Sequence, residues 1–257
     1  GAGGVLETPG AVAAFYRPEE HERLEVLVAR YSADLGEPVS WAWEVTVEED
    51  WWESWKKYFR PAQVSRRLAV CPSWELDRWR PADPAVQVIR MDPGRAFGTG
   101  THETSRLCLR LLDECFEAEP PASVLDVGCG SGILSVGASL LGVPRVVAMD
   151  IDPVATEATR SNVAANGVAS QVLVACADLR ALRGAYDFVV ANILYQVLLG
   201  LAPAIGRRVA PGGRVLLSGM LLAELPSAAS VYGRLGLTVE REESEGEWGA
   251  LLLRSPA

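Results

Sequence analysis

The sequence is poor in the features that mark membrane, secreted and metal-binding proteins. No apolar run in its 257 residues approaches the roughly 20 that a membrane span needs, and no signal-peptide pattern opens it. The cysteines are odd in number and form no C-x-x-C pair, lying at Cys71, Cys108, Cys115, Cys129 and Cys176. A disulfide framework and a zinc site are therefore disfavoured, and we expect no metal and a reducing, cytoplasmic setting.

Positive charge is also scarce, with a net charge of −9. Because a nucleic-acid binder usually carries a basic patch and none is visible, we expect no direct contact with nucleic acid and none with a membrane. Residues 1–60 hold 12 acidic and 6 basic side chains, against 21 and 18 in the rest. An acidic front region favours a basic partner through long-range steering, and a solvated acidic surface is the simpler alternative.

Residues 1–60 have the pattern of a small α+β unit. The spacing predicts two short strands, a helix, a strand and a helix, in order at 5–7, 11–16, 19–31, 39–47 and 50–59. Seven of the eight tryptophans lie in the first 80 positions, and we interpret most of them as core residues of this small unit. Prolines interrupt residues 61–90, which we interpret as a connector.

Strands and helices alternate in the third region, residues 91–257. Strands are predicted at 123–127, 145–149, 171–175, 188–191 and 214–218, and helices at 107–116, 133–141, 153–166, 198–209 and 223–235. This alternation predicts an α/β fold with a mostly parallel sheet covered by helices on both faces. A hairpin at 237–243 and 248–254 would add an antiparallel strand at the end of the chain.

A glycine turn follows the first of these strands, in "VLDVGCGSG" at residues 124–132. Such glycines let the backbone approach a ligand closely at a helix N-terminus. A nicotinamide or flavin site would show G-x-G-x-x-G, whereas the third glycine here comes four places after the first, and Asp126 lies two before it. A NAD-dependent dehydrogenase is therefore disfavoured, although a glycine turn alone is common in α/β proteins.

Two further polar residues end strands of the same sheet. Asp150 ends the strand after the glycine turn, 24 residues beyond Asp126, where a carboxylate can accept both hydroxyls of a ribose. Asn192 ends the strand in "FVVANILY", where its carbonyl could hold an amine N–H, and Tyr195 could face the resulting cation. The alternatives are that Asn192 caps a helix and Tyr195 packs in the core.

This order of motifs resembles the class I methyltransferases that use S-adenosylmethionine. "NILY" keeps the Asn and Tyr of the Asn-Pro-Pro-Tyr motif of amino-group methylases but lacks both prolines. With "PGRAFGTGTHETS" at 93–105 and "EEDWWESWKKYFRP" at 48–61, the chain is similar to the methyltransferases of large-subunit ribosomal protein L-eleven. That resemblance implies a small ferredoxin-like recognition domain before a class I catalytic domain. Relatives carry a first strand and helix before "GAGGV", so we expect the recognition domain to be truncated.

The resemblance also implies which residues serve the reaction. Asn192 would meet the substrate amine as the catalytic residue and touch the cofactor. Cofactor-binding residues would be Phe97 and Thr99 in the loop, Ser105 after the histidine, Asp126, Gly128 and Gly130 at the turn, and Asp150 and Ile151 at the ribose. His102 is a candidate base, although fixing the loop by a hydrogen bond is equally consistent with the sequence.

The implied function is transfer of methyl groups from S-adenosylmethionine, giving S-adenosylhomocysteine, to the N-terminal α-amine and lysines of ribosomal protein L-eleven. We expect the chain to act as a monomer. The alternatives are a class I methyltransferase for another protein or a small-molecule amine, and a cofactor-binding module without catalysis.

Overall fold

A computed structural model describes residues 4–8, 11–15, 21–35, 42, 60–92 and 102–257. The chain divides into two compact units, Gly1–Trp52 and Glu53–Ala257, and each is described here by itself. The strand expected at 39–47 and the helix expected at 50–59 lie outside the described residues. Phe97 and Thr99 lie outside them as well.

The first unit begins with an antiparallel hairpin of β1, Gly4–Thr8, and β2, Ala11–Phe15. Thr8 of β1 is paired with Ala11 of β2, and Pro9-Gly10 lie between them in the sequence. A helix follows, α1, His21–Leu35. The strands and the helix predicted for this region are thus confirmed, and the helix extends four residues beyond its predicted end.

Three short strands occupy the segment for which the sequence suggested a connector. They are β3, Ala62–Gln63, β4, Leu68–Cys71, and β5, Gln87–Arg90, and they form a sheet in that order. Strands β4 and β5 run parallel, with Val70 opposite Ile89. Leu68, Ile89 and Met91 are fully buried in the core of the second unit. The apolar runs between the prolines therefore form part of the core of the second unit and are more than a link between regions of the chain.

The remaining elements alternate as the sequence predicts. In chain order they are α2, Glu103–Cys115; β6, Val124–Val127; α3, Ile133–Leu140; β7, Val146–Asp150; α4, Pro153–Ala165; β8, Val172–Cys176; β9, Tyr186–Asn192; α5, Tyr195–Gly206; β10, Val209–Leu221; α6, Leu225–Gly233; β11, Thr238–Glu245; and β12, Trp248–Arg254. Single 3-10 turns lie at Leu179–Ala181 and Leu222–Glu224.

In the described part of the chain, seven strands form the main sheet, in the order β11-β12-β10-β9-β6-β7-β8. Strands β10, β9, β6, β7 and β8 run parallel, and β12 pairs antiparallel with both β10 and β11. The predicted mostly parallel sheet with a closing hairpin is confirmed. Because parallel strands end at the same edge, the residues that follow β6, β7, β8 and β9 meet there.

Side chains alternate between the two faces of this sheet. Val124 of β6 packs in the core beneath α2, α3 and α4, whereas Leu125 packs in the core beneath α5 and α6. Because side chains alternate along a strand, Asp126 lies on the same face as Val124. Asn192 lies on that face as well, since it is two residues after Val190 and four after Phe188. Two separate apolar cores thus fix the sheet from both sides.

One helix boundary predicted from the sequence is wrong. The sequence predicts a helix up to Val209, stopped by the following Pro211-Gly212-Gly213. In the structure, α5 ends at Gly206. Val209 instead pairs with Tyr186 and begins β10, and the register of β10 against β9 shifts between Val209 and Arg214. A proline and two glycines are compatible with an irregular strand, so this segment forms a bulge rather than a helix stop.

Within the described ranges, no helix is both long and apolar enough to cross a lipid bilayer.

Candidate active site

The glycine turn between β6 and α3 lies at the centre of the sheet edge. The backbone N–H groups of Gly128 and Cys129 both donate to the Met149 carbonyl, at 2.8 and 2.9 Å. Gly128 has a φ of 71°, and a Cβ there would overlap the Ile193 side chain. A residue larger than glycine would therefore strain the turn and push it away from the loop after β9.

Asp150 ends β7 beside this turn, as predicted. One carboxylate oxygen accepts from the Gly130 N–H and the other from the Asp152 N–H, both at 3.0 Å. Thr159 Oγ1 donates to the Gly130 carbonyl at 2.9 Å and holds the turn from the opposite side. Because a carboxylate oxygen has two lone pairs, each oxygen of Asp150 keeps one for a ligand. The neighbouring Ile151 side chain is 75% exposed and offers an apolar surface there.

Asp126 lies deeper, with only 1% of its surface exposed. Its Oδ2 accepts from Ser135 Oγ at 2.6 Å. Burial raises the pKa of Asp126 to about 6; the Ser135 hydrogen bonds lower it, and the charge of Asp150 raises it further. A cationic ligand group close to this carboxylate would offset the cost of burying the negative charge.

The N-terminus of α2 supplies another wall. His102 is its N-cap, with Nδ1 accepting from the Thr104 N–H at 3.3 Å and lying 2.8 Å from Thr104 Oγ1. The imidazole also meets the Trp248 ring edge-on, with centroids 4.9 Å apart. These contacts give His102 a structural role in starting the helix. Ser105 is fully buried one turn later, and its Oγ has no hydrogen-bond partner among the described residues.

Asn192 ends β9 and is paired in register with Ser218 of β10. Its Oδ1 is buried and, within the described ranges, accepts no hydrogen bond. The side chain therefore does not cap a helix through this oxygen. Tyr195, which the sequence left open, packs against the core beneath α5.

A cavity of about 690 Å³ joins these features. Every predicted site residue within the described ranges lines it: Ser105, Asp126, Gly128, Gly130, Asp150, Ile151 and Asn192. Buried polar atoms without a partner are uncommon because each costs about 1–3 kcal/mol, so Ser105 Oγ and Asn192 Oδ1 indicate a polar ligand. The Asp150 carboxylate has lone pairs free for ribose hydroxyls, and the glycine turn beside it lets a ligand approach the backbone closely. The lining therefore fits S-adenosylmethionine.

Asp178 and Trp248 are among the lining residues that the sequence analysis did not select. Asp178 follows β8 at the same sheet edge, so the rule that selected Asp150 and Asn192 could have found it. Trp248 starts β12 and reaches the cavity only through the antiparallel pairing of the closing hairpin, which no local motif indicates. Among the described residues, no group of three or more His, Cys, Asp or Glu side chains is arranged to hold a metal ion.

Residues 5–256 match the family described as Ribosomal protein L11 methyltransferase (PrmA). The chain belongs to this family. It is 43% identical over 240 residues to the ribosomal protein L11 methyltransferase of Pelotomaculum thermopropionicum, covering 93% of this chain and 76% of that protein. The corresponding protein of Symbiobacterium thermophilum is 42% identical over 220 residues, covering 86% and 70%.

Solved structures agree with this family membership. A ribosomal protein L11 methylase from Lactobacillus delbrueckii subsp. bulgaricus superimposes with a TM-score of 0.71 and 32% identity, covering 77% of this chain and all of that one. An O-methyltransferase family protein from Burkholderia thailandensis, 18% identical with a TM-score of 0.52 over 60% of this chain and 56% of that one, shares the fold alone. The seven-stranded sheet and its helices thus have a class I methyltransferase fold, as the motif order predicted.

Proposed function

We propose that the chain transfers methyl groups from S-adenosylmethionine to amino groups of ribosomal protein L11, at the N-terminal α-amine and lysine side chains. The observation that carries the proposal is the buried Oδ1 of Asn192, which accepts no hydrogen bond from the described residues and belongs to a side chain lining the same cavity as Asp150 and the glycine turn. The names of the relatives in the PrmA family supply the protein substrate. The acidic balance of residues 1–60 suits a basic protein partner.

The cofactor would lie along the sheet edge. Asp150 would accept the ribose hydroxyls, with the Ile151 side chain against the neighbouring base. Gly128, Gly130 and the Asp126 carboxylate would face the methionine end, and Ser105 Oγ would gain the partner that it lacks. Phe97 and Thr99, outside the described residues, are proposed to close over the same end.

S-adenosylmethionine supplies a methyl group already activated on a sulfonium, so the enzyme's tasks are alignment and exclusion of water. Asn192 Oδ1 would accept an N–H of a neutral substrate amine and so direct the nitrogen lone pair into the cavity. An α-amine has a reference pKa near 7.7–8.0 and a lysine about 10.4, so the α-amine needs less help to lose its proton. The contacts of His102 favour a role in fixing α2 over one as a base.

Calorimetric titration with S-adenosylmethionine tests the cofactor site. We expect the wild-type chain to bind S-adenosylmethionine and Asp150→Ala to lose most of the affinity, because the substitution removes the carboxylate that would accept the ribose hydroxyls. Undiminished binding by Asp150→Ala would contradict the assigned role of Asp150.

Mass spectrometry of ribosomal protein L11 after incubation with enzyme and cofactor tests the transfer. The expected result is mass gain in steps of one methyl group. Asn192→Ala should bind cofactor and transfer at least about 100-fold more slowly. Tyr195→Phe is the matched control and should keep its rate, since the half-buried Tyr195 packs against the core beneath α5 and does not line the cavity. Full activity of Asn192→Ala would remove it from the mechanism, and cofactor binding without any mass gain by the wild type would point to another substrate.

We further propose that the chain acts as a monomer in the cytoplasm. Residues 1–52 would bring the ribosomal protein to the catalytic unit, as the small recognition domain expected from the sequence. Size-exclusion chromatography with light scattering, with and without ribosomal protein L11, would test both the monomer and the complex.

A further inference from the structure

Ile193, the residue after Asn192, has its main chain against Gly219. Gly219 follows Ser218, the residue paired with Asn192. A Cβ at Gly219 would lie 2.8 Å from the carbonyl carbon of Ile193 and 2.9 Å from its nitrogen. These are main-chain atoms, so a rotamer change cannot relieve the overlap.

The local course of β10 explains this close approach. The register between β10 and β12 shifts between Ser218 and Met220, which leaves Gly219 as the extra residue of a bulge. Its φ of 86° lies in the left-handed region. The Ile193 N–H meanwhile donates to the Ser218 carbonyl at 3.2 Å, so the peptide is held against the bulge.

The side chain of Ile193 is held from a second direction. It packs against the Cα of Gly128, where a Cβ would overlap Ile193 Cγ2. Ile193 is therefore clamped by two glycines, Gly219 against its main chain and Gly128 against its side chain. Both glycines line the cavity.

We infer that Gly219 is a positioning residue for methyl transfer, because its lack of a side chain lets the Ile193 peptide lie where it holds the Asn192 side chain at the cavity wall. The inference rests on the proposed function for its catalytic consequence. Its structural part, the dependence of the Asn192 position on Gly219, holds whatever the substrate.

Gly236 provides a matched control. Its φ of 89° is close to that of Gly219, but a Cβ there would meet nothing within 4 Å. Gly219→Ala and Gly236→Ala therefore both place a side chain at a similar positive φ, and only the first also places a Cβ against Ile193. Any difference between the two variants reports the contact.

The experiment compares full-length wild type, Gly219→Ala and Gly236→Ala. With ribosomal protein L11 as substrate, we expect Gly219→Ala to lower kcat about 100-fold with little change in KM or in the Kd of S-adenosylmethionine. Gly236→Ala should match the wild type. Equal kcat values for the two variants would overturn the inference.

A readout without catalysis separates this inference from the proposed function. In amide nuclear magnetic resonance spectra, the Asn192 side-chain signals are those that Asn192→Asp removes. Gly219→Ala should shift them, and Gly236→Ala should not. If the wild type fails to methylate ribosomal protein L11, the proposed function falls while this comparison still decides the position of Asn192.

A second variant covers the case in which Gly219→Ala does not fold. Ile193→Ala empties the Gly128 side of the clamp without adding an atom, and we expect it to shift the same Asn192 signals. Unmoved signals in every folded variant of the clamp would overturn the inference.

Discussion

Ser105 and Asn192 line the cavity, and each has a buried oxygen that lacks a hydrogen-bond partner among the described residues. An unpaired buried polar atom lowers the stability of the folded chain by about 1–3 kcal/mol, and a polar ligand that bonds to it can offset this loss. The active site is thus less stable without ligand than an apolar lining of the same shape would be.

Ser105→Ala tests whether the buried hydroxyl lowers the stability of the ligand-free chain while strengthening ligand binding. Removing the hydroxyl should raise the free energy of unfolding of the ligand-free chain by about 1 kcal/mol and weaken binding of S-adenosylmethionine. Chemical denaturation and calorimetry measure the two effects, with Ser105→Thr as the control that keeps the hydroxyl. A loss of stability in Ser105→Ala without loss of affinity would contradict the prediction.

Asp126 makes a related prediction for pH. Its pKa rises from 3.8 to about 6 because it is buried, so the folded chain binds this proton more tightly than the unfolded chain. Native stability from this group is therefore greatest at low pH and falls as pH rises from about 4 to about 6. Asp126→Asn should be more stable than wild type by about 3 kcal/mol at pH 7, with a difference that disappears near pH 4.

Denaturant unfolding of both chains across this pH range measures the effect, beside Asp178→Asn as an exposed-carboxylate control. A difference between Asp126→Asn and wild type that does not vary with pH would contradict the assigned cause. We also expect Asp126→Asn to bind S-adenosylmethionine more weakly, because the negative charge facing the methionine end is lost.

At the scale of elements, α2 must be held in place because it carries His102 and Ser105. Asp113, near its other end, is buried and accepts from the Arg67 backbone N–H at 2.8 Å and from the Arg67 Nε–H. Burial raises the pKa of Asp113, but hydrogen bonds from Ser65 and Arg67 together outweigh it, so the pKa lies below its ordinary value. This pair ties α2 to the loop before β4.

Asp113→Ala should destabilise the chain by about 3 kcal/mol, because it removes one partner of a largely buried pair. The matched control is Glu245→Ala, which breaks the partly exposed ion pairs of Glu245 with Arg106 and Arg110 of the same helix and should cost less than about 1 kcal/mol. Thermal and urea unfolding of both variants measure the difference. Equal costs would show that the Arg67 contact does not hold α2.

The pH dependence of the same pair has the opposite sign to that of Asp126. Because folding lowers the pKa of Asp113 from 3.8, its carboxylate stabilises the folded chain above about pH 3.8. This stability is lost as pH falls through the pKa of Asp113 in the folded chain. The stability gap between wild type and Asp113→Asn should therefore narrow on acidification below pH 4.

At the scale of the whole molecule, both apolar cores lie within residues 64–253. A chain of residues 53–257 contains both, so we expect it to fold and to bind S-adenosylmethionine like the full chain. It should methylate ribosomal protein L11 much more slowly, because the proposed recognition unit is removed. Calorimetry and mass spectrometry on the two chains test this, and an unchanged methylation rate would exclude a role for residues 1–52.

Local patterns were enough to predict the sheet and most of the site. The alternation of apolar strands with helices predicted the order of the elements and placed most of their ends to within a few residues. In α4, for example, Pro153 marks the start of the helix and Gly167 follows its end. Asp150 and Asn192 could be selected because strand-terminal polar residues of a parallel sheet meet at one edge. The end of α5 was predicted wrongly, because the pairing of Val209 with Tyr186 is a long-range contact that local turn residues do not reveal.

By itself, the sequence determined the fold class, the family resemblance and seven of the residues that line the cavity, since these depend on periodicity and on motifs short enough to read along the chain. Only the tertiary structure decided that Asp126 is buried enough to raise its pKa, that Trp248 reaches the site, and that Gly219 and Gly128 clamp Ile193. Burial and close approach arise between segments far apart in the chain, so they follow from packing rather than from local pattern.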